Sequence, residues 1–153
     1  MDIKSGKKGA AGGLSNFRPR PFVYDGVECA SMEGFLQSLK FENIEMQRHI
    51  CTLVGFAAKK AGKGKNWQRT QTLWWNGQPI KRDSQAYQDL LDEAYVALFR
   101  NKKARACLLS TGDANLTHSI GWHKINDTVL TRNEFCSRLM NIRAILRERE
   151  FIE

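Results

Sequence analysis

The sequence has no apolar run of membrane-spanning length, so no transmembrane helix is expected. It has no Cys-x-x-Cys pair. Cys29, Cys51, Cys107 and Cys136 are far apart, which reads as buried or half-buried thiols in a reducing compartment. Its histidines are His49, His118 and His123. The last two are five apart, off a shared helix face, and have no Cys or acidic partner at a ligand spacing, so no zinc site is expected. Met1 to Gly13 is basic and glycine-rich but has no apolar stretch of the kind a secretory signal carries, which makes the cytoplasm the default expectation. Internal repeats and long linkers are absent too.

What remains is enough for one core. The chain has 153 residues, 42% of them hydrophobic, which excludes global disorder and needs no disulfide or metal to fold. Residues 1–13, with Gly6, Gly9, Gly12 and Gly13 among lysines, are expected to be mobile, and 14–153 to form the domain. Phe22 to Cys29 is expected to be a hairpin about Asp25-Gly26, and Leu73 to Ile80 a second about Asn76-Gly77, with Pro79 limiting its return strand. Ser31 caps a helix to about Phe41, and Asn43 a second to about Val54, where Gly55 ends or kinks it. Residues 62–70 read as a loop.

Tyr87, Leu90, Leu91, Ala94, Tyr95, Leu98 and Phe99 form one wide apolar stripe of a long helix. A shorter helix over Lys103 to Ser110 stops at Gly112. Thr131 and Glu134 fit a capping box, and Phe135, Leu139, Ile142 and Leu146 line the buried face of the helix that follows. The fold class is α+β: a mostly helical single domain with one or two small hairpins.

The net charge is +8, spread over Lys4, Lys7 and Lys8; Lys59, Lys60, Lys63 and Lys65; Lys81 and Arg82; and Lys102, Lys103 and Arg105. Such a surface attracts polyanions and phosphorylated ligands, or is simply solvated. In the first long helix Glu33, Gln37 and Lys40 fall at i, i+4 and i+7, on one face. Spacing alone favours an ordinary polar stripe on a helix surface and is no more than compatible with a phosphoribosyl group and an oxocarbenium-like centre. Trp122 is expected to wall a pocket, and one of Trp74 and Trp75 to point inward.

These residues also form an ordered series. Ser15-Asn16-Phe17, Pro21-Phe22-Val23 with Asp25-Gly26-Val27, and Ser31-Met32-Glu33 with Gln37 and Lys40 resemble the NADAR (YbiA-like) family. The likeness continues through Ala58 to Lys63, Ala94 to Phe99, Leu108-Leu109-Ser110-Thr111-Gly112-Asp113, and Asn133 with Leu139 to Arg143. It implies a YbiA-like fold and a hydrolase acting on N-glycosyl bonds, needing no cofactor and no metal. Implied substrates are ADP-ribosylated guanine, in DNA or as a nucleoside, or ribosylamino-pyrimidine intermediates of riboflavin synthesis. A non-catalytic protein binding ADP-ribose or nucleic acid is the other alternative, and DNA contact through the basic surface accompanies the first.

Carried over by position, Glu33 is the catalytic carboxylate. Asn16, Phe17, Gln37, Lys40, Lys63, Asp113 and Trp122 bind substrate: Lys40 and Lys63 the phosphates, Asn16 and Gln37 the ribose hydroxyls. Five places depart from the family pattern, one of them an insertion that holds Trp67, Trp74 and Trp75. Gly34 replaces a His, Lys63 an Arg and Ser119 an acidic residue, and residues 122–127 replace a glycine-rich loop.

Overall fold

A computed structural model describes residues 1–152, with side-chain surroundings through Arg149. Two antiparallel hairpins sit among seven helices. Strands β1 (Phe22–Tyr24) and β2 (Val27–Cys29) pair with Phe22 opposite Cys29. Strands β3 (Thr72–Trp75) and β4 (Gln78–Lys81) pair with Thr72 opposite Lys81. Both turns have the doubly positive φ that the Asp-Gly and Asn-Gly signals demand: Asp25 +49° and Gly26 +75°, Asn76 +50° and Gly77 +80°. Pro79 fits opposite Trp74 because the sheet has two strands and β4 is an edge. Trp75 points inward and donates from Nε1 to Asp25 Oδ2 at 2.8 Å, which ties the two hairpins together; Trp74 is half-buried.

Helix α1 covers Gly9–Gly13, α2 Met32–Ser38, α3 Ile44–Cys51 and α4 Gly55–Gly62. Helix α5 covers Gln85–Leu98, α6 Lys102–Leu109 and α7 Arg132–Ile152. The expected caps are in place: Ser31 accepts from the Gly34 N–H and Asn43 from the Met46 N–H. Thr131 Oγ1 accepts from the Glu134 N–H while Glu134 Oε1 accepts from the Thr131 N–H, the reciprocal capping box. Helix α2 stops at Ser38 rather than Phe41, and Leu39 to Phe41 close with tighter i→i+3 bonds. Helix α3 stops at Cys51 rather than Val54, and Gly55 begins α4, an element the sequence pattern does not announce.

The α5 stripe packs as expected, with Tyr87, Leu91, Ala94 and Tyr95 fully buried. Phe35 of α2 is a hub, meeting Phe22, Tyr24 and Trp75 at ring distances of 6.1, 5.2 and 5.4 Å. The N-terminal segment, expected to be mobile, docks. The Ile3 N–H donates to the Thr117 carbonyl at 2.8 Å and the Thr117 N–H to the Met1 carbonyl at 2.9 Å, while the Ile3 side chain is fully buried. Its glycines and lysines mask one anchoring apolar residue and a short parallel pairing. Arg82, grouped with the surface charge by composition, is also fully buried.

Candidate active site

Three residues of the first resemblance motif converge because α2 presents them in line. Glu33, Gln37 and Lys40, the last on the turn just past the helix, line a cleft of about 370 Å³ together with Asn16 and Phe17. The irregular stretch around His118, Trp122 and Thr128 to Leu130 lines the same cleft. Beside it lies an open bay of about 920 Å³, sharing Gln37, Lys40, Lys59, Gln68 and Trp122 and adding Lys60, Lys63 and Lys65. Of the residues expected at the site, Lys63 is therefore in the bay and not in the Glu33 cleft. Trp122, 61% exposed, stands on the rim common to both. Asp113 is elsewhere. Its carboxylate is solvent-exposed and paired at 2.6 Å with Arg147 of α7, so the bend after α6 carries it away from the cleft.

The polar groups at the cleft floor are incompletely bonded. Gln37 Nε2 donates to Glu33 Oε1 at 2.9 Å, but Gln37 Oε1 is buried without a partner. Gln37 itself is 8% exposed. Gly62 makes room for that amide: a Cβ there would fall 1.7 Å from Gln37 Oε1. Burial raises the Glu33 carboxyl above its ordinary value, and the Gln37 bond with the charges of Lys40, Lys59 and His118 only partly offsets this. Burial likewise lowers Lys40, with Glu33 pulling it back; its Nζ lies 3.4 Å from the Gly62 carbonyl.

Asn16 is placed from two sides. Its carbonyl accepts the Glu33 N–H at 3.0 Å, and its Oδ1 accepts the hydroxyl of fully buried Tyr95 at 3.0 Å. That leaves Nδ2 as the side chain's remaining donor. Phe17 packs edge-on to exposed Phe56 at 5.0 Å.

Two of the departures have physical reasons. Gly34 faces away from the cleft: a Cβ would fall 2.4 Å from the Leu53 carbonyl, so the α3–α4 connection excludes any larger side chain. Ser119 bonds Asp2 through its N–H at 2.7 Å and its hydroxyl at 2.6 Å, and these two bonds hold the Asp2 carboxyl down at about 2.

His118 and Lys59 line the cleft and fully buried Tyr95 holds Asn16 from behind, three groups to which the sequence does not point. In the sequence Tyr95 is one more stripe residue, Lys59 one more surface charge, and His118 a histidine without metal-ligand spacing. Among the described residues, no group of three or more His, Cys, Asp or Glu side chains is placed to hold a metal ion. No helix of the described residues is long and apolar enough to cross a membrane.

Comparison with known proteins agrees with the motif series. The family model described as Bacteriophage protein GP30.3 matches residues 8–144. An "uncharacterized 17.1 kDa protein in Gp30-rIII intergenic region" of Enterobacteria phage T4 is 40% identical over 149 residues, covering 94% of this chain and 96% of that one. The NMR structure of the E. coli protein YbiA superposes with a TM-score of 0.65 at 21% identity, covering 100% of this chain and 88% of YbiA. The fold is YbiA-like, as the motifs implied.

Proposed function

Because the chain belongs to the bacteriophage protein GP30.3 family and is YbiA-like in fold, we propose that it is a hydrolase cutting the N-glycosyl bond between ADP-ribose and a nucleobase. The substrate is ADP-ribosylated guanine, in DNA or as a nucleoside, and the reaction restores the base. One observation carries this reading: Glu33 is a carboxyl with a raised pKa and a single side-chain hydrogen bond, lining a cleft that shares residues with a lysine-lined bay.

N-glycosyl cleavage develops positive charge at the anomeric carbon. A carboxylate held out of water stabilises that charge strongly and can take a proton from the attacking water. Asn16 and Gln37 offer amides to the ribose hydroxyls. Lys40 and Lys59, on the border of cleft and bay, meet the diphosphate, and Lys60, Lys63 and Lys65 extend the positive surface outward. The size and charge of the bay favour a substrate extending well beyond one ribose phosphate, which is why ADP-ribose is preferred to a riboflavin intermediate.

The test is incubation of the purified protein with ADP-ribosylated DNA, ADP-ribosylated guanosine and a ribosylamino-pyrimidine, with products identified by mass. Release of free ADP-ribose and unmodified base is expected. Turnover of the pyrimidine alone moves the assignment to that substrate, and tight ADP-ribose binding with no turnover makes the protein a binding module.

A further inference from the structure

We propose that His118 is the acid of this reaction, donating its Nε2 proton to the departing nucleobase in the cleft it lines together with Glu33. The proposal rests on the N-glycosidase reading and adds a second catalytic residue to it.

The ring is clamped from three directions. His118 Nδ1 is 2.8 Å from the carbonyl of Ile3. A carbonyl only accepts, so Nδ1 carries the hydrogen and Nε2 is the nitrogen that exchanges protons. The ring meets Phe135 edge-on with centroids 5.3 Å apart. On another side Gly121 leaves it space, since a Cβ there would fall 2.6 Å from His118 Cδ2. Ile3 is itself fixed by its burial and its pairing with Thr117.

An imidazole held this way gains or loses a proton at Nε2 without turning, because the Ile3 carbonyl accepts from Nδ1 in both states. Among the described residues Nε2 has no protein partner, and the residue lines the same cleft as Glu33. Its charge is near enough to act on the Glu33 carboxyl. A structural histidine needs no free nitrogen in a cleft; a proton donor does.

The step balances. The water oxygen bonds to the anomeric carbon and its proton passes to the Glu33 carboxylate. The carbon–nitrogen bond breaks, its electron pair leaves with the base, and the base nitrogen takes the Nε2 proton of the imidazolium. ADP-ribose and free base depart, leaving protonated Glu33 and neutral His118, and proton transfer through cleft water resets both.

The experiment compares wild type, His118→Asn, His118→Gln, His118→Gly and Glu33→Gln on two substrates. One is ADP-ribosylated guanosine. The other is a 4-nitrophenyl glycoside of ADP-ribose, whose leaving group departs without a proton. Asn keeps an amide donor where Nδ1 sits, so the Ile3 tether and the melting temperature should hold; Gln places its amide at Nε2 and tests the fold independently.

Either His118 variant should lower kcat on the guanosine by ~10²–10⁴ and on the nitrophenyl glycoside by less than ~10-fold, while Glu33→Gln lowers both. In His118→Gly, added imidazole should restore turnover of the guanosine. Equal losses on the two substrates, no loss on the guanosine, or no rescue by imidazole would overturn the assignment of His118. Wild type inactive on both substrates would instead overturn the N-glycosidase reading itself, and with it this proposal.

Discussion

Glu33 and Glu134 are both carboxylates held largely out of water, and the fold treats them in opposite ways. Glu134 takes a two-pronged bond from Arg82, Nη2 to Oε1 at 2.6 Å and Nη1 to Oε2 at 3.0 Å. Gln88 and the Thr131 N–H supply two more bonds at 2.7 and 2.8 Å. Burial would raise its pKa, but these bonds outweigh that and hold it below its ordinary value. Arg82 is finished off too: its Nε reaches the Thr128 carbonyl and its guanidinium lies 4.7 Å from the Tyr87 ring centre. Glu33 has one side-chain bond, to an amide that is itself half-satisfied, and its pKa is raised. A buried carboxylate with every lone pair engaged is a strut. One left short of partners beside an open cleft is a site waiting for a ligand to complete it.

The largest expected effect comes from removing the charge at the site. Glu33→Gln keeps the volume and most of the hydrogen bonding, so kcat should fall by ~10²–10⁴ while ADP-ribose affinity holds or improves. Steady-state kinetics with calorimetric binding checks this, and an unchanged kcat would remove Glu33 from the chemistry.

The strut should answer in stability instead. Arg82→Met leaves Glu134 buried without its cation, which should lower unfolding free energy by ~3–5 kcal/mol, a large share of the ~5–15 kcal/mol a domain has. Urea unfolding measures it. If Glu33→Gln destabilised the protein as much as Arg82→Met, the contrast between the two carboxylates would be broken.

A smaller effect is expected between these extremes, at Tyr95→Phe. It frees Asn16 Oδ1 without emptying the core, for a loss of ~0.5–1.5 kcal/mol. Because Asn16 lines the cleft, KM should rise several-fold with little change in kcat. A fall in kcat with unchanged KM would mean that Asn16 serves the chemical step rather than binding.

The two regions were unequally legible in the sequence. Glu33 and Gln37 share one short helix and Lys40 the turn that follows it, so their local spacing puts them in line, and the resemblance motif falls on the same positions. The Thr131–Glu134 box was legible for the same local reason. Arg82 was not: its partner lies 52 residues away, and beside Lys81 it looks like surface charge. His118 is similar, since the carbonyl that orients it belongs to Ile3, 115 residues earlier, in a segment whose composition argued for mobility. Asp113 erred in the other direction. It sits in a matching motif, but Arg147 holds it at the surface. Helix α4 was hidden by its short length and its bounding glycines, although it places Lys59 and Gly62 at the site.

The smallest expected effect is also the one that sets the two carboxylates most directly against each other: the pH dependence of stability. Glu33 binds its proton more tightly folded than unfolded. It is therefore least unfavourable to the fold below its unfolded pKa. The destabilisation grows as pH rises through the ordinary carboxylate range and is complete above the raised folded value. For Glu134 the folded value is lowered, so its stabilisation is complete above the unfolded value and is lost as pH falls through the folded one. Glu33→Gln should then raise the melting temperature by a few degrees at neutral pH, with the gain vanishing in acid. Glu134→Gln should lower it at neutral pH, with the deficit shrinking in acid. Lys40 is the group that could reverse the first sign, because it loses the carboxylate that supports its charge. The raised Glu33 value already includes that attraction, along with those of Lys59 and His118, and burial still exceeds their sum. A neutral isostere should therefore gain. Melting curves of the two variants across pH, each taken as a difference from wild type, should slope in opposite directions; parallel slopes would mean that Glu33 is as fully satisfied as Glu134 and is no site at all.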